Sequence, residues 1–155
     1  MLYNFFVLRV LRCEKNMIKM DILIIDDFFA ASTVKKDVEK FVRSIEIANS
    51  AEDALMKVSN NKFDLVLLSI SSKAFDGCKL IEQVKSICPD IKIVTMTDRN
   101  SRDLELKVRK QGVIFYMITP FNIKVLKDIV DYISSSKEKM QIERLQKFYN
   151  EWARL

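Results

Sequence analysis

A chain of 155 residues, 49% apolar and 30% charged, can bury most of the apolar surface of one domain without disulfides or metal staples. Two glycines and two prolines exclude low-complexity linkers and a turn-rich all-β fold, while the absence of histidine excludes His-based triads, His metal ligands and phosphohistidine transfer. The formal charge of +5 sits at the two ends, +3 in residues 1–20 and +2 in residues 134–155, so the middle is neutral and lacks the broad basic face that nucleic-acid binding needs.

Cys13, Cys78 and Cys88 are far apart. They give neither a disulfide framework nor a zinc site, and they fit small buried hydrophobes in a reducing cytosol.

The opening MLYNFFVLRVL is too short to span a bilayer and lacks the basic start and cleavage site of a signal peptide. Residues 1–19 therefore read as a short amphipathic arm or as a start set too far upstream, with Met17 and Met20 just ahead of the first strand. DILII (21–25) is the apolar run of a strand covered on both faces. Residues 32–43 place Val34, Val38, Phe41 and Val42 at helical spacing, and SIEIA (44–48) alternates like a strand nearer a sheet edge. Ser50, Asp53, Ala54, Leu55 and Val58 form a capped helix pattern. FDLVLLSI (63–70) reads as a buried strand, and KLIEQVKSI (79–87) as a helix ended before Pro89. IKIVTMT (91–97) is the fourth strand, and RDLELKVRKQ (102–111) a helix stopped at Gly112. VIFYMI (113–118) is the fifth strand, followed by helix FNIKVLKDIVDYI (121–133).

Five strands alternating with five helices predict right-handed crossovers and an α/β, flavodoxin-like, doubly wound parallel sheet of order 2-1-3-4-5. In such a sheet the functional crevice lies at the carboxyl ends of the strands. The first strand there ends in Asp26-Asp27, adjacent carboxylates that must be solvated, used as a helix cap or shared with a hard cation such as Mg²⁺. Strand three ends in Ser69, strand four in Thr97, and strand five in Thr119-Pro120.

In this order and spacing, ILIIDD, FDLVLLSISSKAFDG, IVTMTD and GVIFYMITPF resemble the receiver domain of two-component response regulators. The resemblance covers residues 20–133, including Asp76-Gly77, Gly112, Pro120 and Phe121, with 134–155 as a C-terminal helical extension. It implies that Asp27 is the direct Mg²⁺ ligand position and Asp26 its water-mediated neighbour. It implies further that Thr97 is the hydroxyl that meets a phosphoryl group, and Tyr116 the ring that turns inward on activation.

Two departures bear on function. Ser69 stands where the family has the aspartate that becomes an acyl phosphate. A serine hydroxyl needs a general base that a carboxylate does not, and the substitution also removes a Mg²⁺ ligand. Thr119 stands where the family has the lysine that pairs with phosphoryl oxygens. Asp98 adds repulsion towards a dianion, and SSKAF replaces the family's Met-Pro-containing loop.

In the C-terminal extension, Ile142, Leu145, Tyr149 and Trp152 recur every three or four residues as an apolar stripe. It either folds back on its own domain or binds a partner or second copy, with membrane-surface binding a remoter alternative. The 22 residues after Ile133 are too few for a helix-turn-helix output module.

The expectation is a cytoplasmic, non-enzymatic pseudo-receiver without a required cofactor, retaining at most weak Mg²⁺ affinity through Asp26 and Asp27. Its vestigial pocket is Asp26, Asp27, Ser69, Thr97 and Thr119, and it acts by contact with a signalling kinase, a regulator or a second copy, not nucleic acid. Two alternatives stay open: a live receiver using Asp26, Asp27 or Asp98 as acceptor, and anionic-surface binding through the basic ends.

Overall fold

The structure, a computed structural model, describes residues 18–99, 101–120 and 122–153, apart from the side chains at 28–29, 137–145, 147–149 and 151–153. The predicted N-terminal arm therefore lies outside the described residues up to residue 17. Five strands, β1 (Ile18–Ile25), β2 (Val42–Ala48), β3 (Leu65–Ser69), β4 (Lys92–Thr97) and β5 (Phe115–Ile118), form one parallel sheet ordered β2-β1-β3-β4-β5. Helices α1 (Phe28–Val38), α2 (Ala51–Asn60), α3 (Gly77–Ile87), α4 (Arg102–Lys110) and α5 (Ile123–Ala153) follow the strands in turn. This is the doubly wound, flavodoxin-like arrangement that the alternation predicts.

The sheet is buried on both faces because its central strands are apolar throughout. Leu23, Ile25, Val66, Leu68 and Ile93 pack with Leu80, Ile81 and Val84 of α3, Val108 of α4 and Ala54 and Val58 of α2. The alternate residues Ile22, Ile24, Leu65 and Leu67 point the other way and are equally buried. Each fully buried Leu or Ile contributes about 1.5–3 kcal/mol relative to exposure, so this layer dominates the stability.

Side-chain caps set where the first four helices begin. Asp27, Ser50, Asp76 and Ser101 accept from the backbone N–H groups of Ala30, Asp53, Lys79 and Leu104 respectively. The cap corrects one expectation: the first helix spans 28–38, not 32–43. Phe41 and Val42 sit at helical spacing, but Val42 opens β2 opposite Ile18, and Ile18 N–H donates to the Phe41 carbonyl at 2.8 Å. Strand pairing outweighs a local periodicity that no glycine or proline interrupts. The same pairing moves the start of β1 back to Ile18, inside the segment expected to be an arm. Strands β3 and β5 are shorter than predicted, and just outside β3 the Asp64 N–H donates to the Asp21 carbonyl and the Ile70 N–H to the Met96 carbonyl.

Both glycines are needed where they stand. A Cβ on Gly77 would lie 2.8 Å from the Ile70 Cα, and Gly112 ends α4 with φ of +90°.

Helix α5 belongs to a separate unit, Asn122–Leu155. The predicted fifth helix and C-terminal helix are one uninterrupted helix of 31 residues, because no helix-breaking residue separates them. At 1.5 Å per residue it extends about 46 Å. Its backbone is helical at Ile142, Leu145, Tyr149 and Trp152, whose side chains lie outside the described residues. Among the described residues, no helix is long and apolar enough to cross a membrane.

Candidate functional site

The registers Ile25↔Leu68, Ser69↔Met96 and Thr97↔Ile118 bring Asp26, Ser69, Thr97 and Thr119 to the carboxyl edge of the sheet. Asp26 leaves β1 with its N–H on the Ala48 carbonyl and its side chain only 8% exposed. Its carboxylate accepts the Asp27 N–H at 2.7 Å. Burial raises the Asp26 pKa above the ordinary carboxylate value; the Asp27 N–H opposes that, the Asp27 charge adds to it, and a hydrogen bond from Ser69 opposes it. The adjacent carboxylates thus divide their roles. Asp27 is exposed, and its Oδ1 caps α1 by accepting from Ala30 N–H at 3.1 Å.

Ser69 ends β3 almost fully buried, as does Thr97 at the end of β4, which is 1% exposed. The Thr97 hydroxyl oxygen accepts from Arg99 N–H at 3.1 Å and lies 3.5 Å from Ser71 Oγ. Ser71 Oγ also accepts the Asp98 N–H at 3.2 Å. Thr119 turns back onto the neighbouring strand: its N–H and its hydroxyl both donate to the Thr97 carbonyl, at 2.7 and 3.2 Å. The Thr119–Pro120 peptide is cis. Asp98 is exposed beside these groups.

Tyr116 is inward. Its ring is 8% exposed, and its hydroxyl donates to the Arg99 carbonyl at 2.7 Å, with the Ser101 carbonyl at 3.5 Å. Val108 is packed in the core, and Leu104, partly buried, lies against it. The exposed apolar groups on α4 and around β5 are Leu106, Ile114, Phe115 and Ile118. Sequence reasoning passed over these, because edge-strand apolar residues and core residues look alike in a short run. It also passed over Ser71 and Arg99, whose roles depend on loops meeting in space.

Chemically, the site pairs one buried and one exposed carboxylate with buried hydroxyls, and Thr119 adds a neutral hydroxyl. Among the described residues, no three acidic or cysteine side chains converge as a metal-binding group.

The sequence pattern of the response regulator receiver domain matches residues 22–131. The transcriptional regulatory protein ZraR of Salmonella typhimurium is 29% identical over 114 residues, covering 73% of this chain but 26% of ZraR. Sporulation initiation phosphotransferase F of Bacillus subtilis is 27% identical over 116 residues, covering 74% of this chain and 93% of that protein. This chain thus spans about a quarter of the transcriptional regulators it resembles and nearly all of the phosphotransferase. Among solved structures, a two-component response regulator from Clostridium difficile superposes with a TM-score of 0.69 at 32% identity, covering 74% of this chain and 95% of that one. A CheY-like receiver domain from Methanospirillum hungatei gives 0.71 at 26% identity, covering 79% and 98%. Sheet order and matched span agree, and the chain belongs to the response regulator receiver domain family of two-component signalling.

Proposed function

We propose that this receiver works without phosphorylation, as a regulatory module that signals by protein contact. Ser69 at the end of β3 carries the reading. A phosphoryl acceptor there needs an ionised oxygen, and a serine hydroxyl stays protonated at neutral pH unless a base removes its proton. The chain holds no histidine that could take up that proton.

Two further features support the reading. Thr119 supplies no cation for a phosphoryl dianion, and its hydroxyl is spent on the β4 backbone. Tyr116 already lies in the inward position that the family reaches on activation.

The donor set fits a resident Mg²⁺ poorly. One carboxylate is buried, the other caps α1, and the third ligand position is a neutral hydroxyl. Weak Mg²⁺ affinity and no required cofactor follow, and no catalytic activity is assigned. The partner is a signalling kinase, a regulator or a second copy of the chain, met in the cytoplasm.

Beryllofluoride with Mg²⁺ tests this directly, because it mimics a phosphoryl group by bonding to an acceptor carboxylate. Amide NMR spectra of the chain should be unchanged at saturating beryllofluoride. Saturable shifts centred on Ser69, Thr97 and Tyr116 would contradict the reading.

A further inference from the structure

We infer that Ser71 is a built-in clamp that holds the β4–α4 connection closed and thereby keeps Tyr116 inward in the absence of a phosphoryl group. The inference rests on the phosphorylation-independent reading and supplies the regulation that this reading lacks.

A hydroxyl has one proton and two acceptor sites, so it can bridge two elements at once. Ser71 does so: its oxygen accepts the Asp98 N–H at 3.2 Å and its proton points to Thr97 Oγ1 at 3.5 Å. The first contact is the stronger by distance. Ser71 lies in the β3–α3 connection, which is also held to β4 by Ile70 N–H donating to the Met96 carbonyl at 3.0 Å. The next residue of the β4–α4 connection is fixed at both ends. Arg99 N–H donates to Thr97 Oγ1, and the Arg99 carbonyl accepts from Tyr116.

Three elements therefore converge on the two peptides of Asp98 and Arg99: the β3–α3 connection through Ser71, β4 through Thr97, and β5 through Tyr116. The Arg99 carbonyl is the anchor that retains the Tyr116 hydroxyl indoors, and it stays in place only while its own peptide is held. Ser71 and Thr97 hold it from the side where a phosphoryl group would otherwise act. Ser71 is thus a positioning residue, acting on Tyr116 through Asp98, Thr97 and Arg99 without touching it.

Ser71 sits in a loop and is only half-buried, so its removal leaves the core intact. The test uses the full chain, its Ser71→Ala variant and the hydroxyl-retaining Ser71→Thr. Backbone amide exchange is followed at Asp98 and Arg99, and ¹⁹F NMR of fluorotyrosine-labelled protein reports the Tyr116 ring, assigned with Tyr116→Phe. Ser71→Ala is expected to speed exchange at Asp98 by about tenfold, the effect of losing one hydrogen bond, and to give the Tyr116 signal a second, solvent-exposed population. Ser71→Thr should restore both. Unchanged exchange and an unchanged Tyr116 signal in Ser71→Ala would overturn the clamp, as would failure of Ser71→Thr to restore them. Phosphoryl transfer to the chain would instead remove the phosphorylation-independent reading, a result separable from these measurements on unmodified protein.

Discussion

The Tyr116 hydroxyl and the Arg99 carbonyl meet at 2.7 Å, so the ring of β5 is tied to the loop that leads into α4. The bond satisfies a phenol that would otherwise be buried without a partner, which is costly in an apolar setting.

Replacing only the hydroxyl isolates that bond. Tyr116→Phe should lower stability by about 1 kcal/mol with the ring still buried, read as a lower urea midpoint at unchanged slope. Tyr116→Ala should cost about 3–5 kcal/mol, because a ring-sized cavity opens as well. Equal losses in the two variants would show that the ring contributes nothing through packing.

Asp26 makes stability depend on pH in a direction opposite to most carboxylates. Its folded pKa lies above the unfolded value of 3.8, chiefly through burial. The folded chain therefore keeps a proton that the unfolded chain has released. The resulting penalty is absent well below pH 3.8, grows as pH rises through the folded pKa, and is fully present above it. Asp26→Asn keeps an oxygen for the Asp27 N–H and should raise the melting temperature at neutral pH, with the difference vanishing in acid. A variant less stable than the native chain at neutral pH would show that the charged form is favoured in the fold.

The two glycines should fail for different reasons. Gly77→Ala drives a Cβ against the Ile70 backbone and should cost about 1–3 kcal/mol by overpacking. Gly112→Ala meets only ordinary contact with the end of the Lys85 side chain but a left-handed backbone, and should cost about 1–2 kcal/mol. Asparagine, which tolerates that conformation, should be milder than alanine at residue 112 and no milder at residue 77, as judged by thermal unfolding.

Much of this was legible in the sequence because it is local or periodic. The buried strands are continuous apolar runs, Ser50 announces α2, and the strand ends at Asp26, Ser69, Thr97 and Thr119 mark the crevice. What was not legible depends on competition between distant segments. Phe41 and Val42 satisfy a helical period, yet pairing with Ile18 claims Val42 for β2. The serines at 134–136 favour caps and turns and so look like a helix boundary, yet α5 runs through them. Asp26 and Asp27 are alike as letters, and only the course of the chain after β1 buries one and makes the other a cap. Ser71 and Arg99 carry no motif; their roles exist only where two loops close on each other.

On the proposed reading, supplying a carboxylate at 69 and a cation at 119 should build the chemistry in steps. Ser69→Asp returns a carboxylate at the end of β3 and should strengthen Mg²⁺ binding, measured by calorimetry, while leaving phosphorylation inefficient. Adding Thr119→Lys returns the cation and should raise phosphorylation by roughly 10²-fold or more over the single variant, the scale of one charge-stabilising group. Equal rates for the single and double variants would show that a lysine at 119 does not reach the pocket.

The most direct measurement is the intact mass of the native chain after incubation with acetyl phosphate and Mg²⁺, with Ser69→Asp/Thr119→Lys alongside as a positive control. The account predicts no added mass on the native chain and one phosphoryl group on the double variant. A stable gain of one phosphoryl group on the native chain, mapped to Asp26, Asp27 or Asp98, would contradict it.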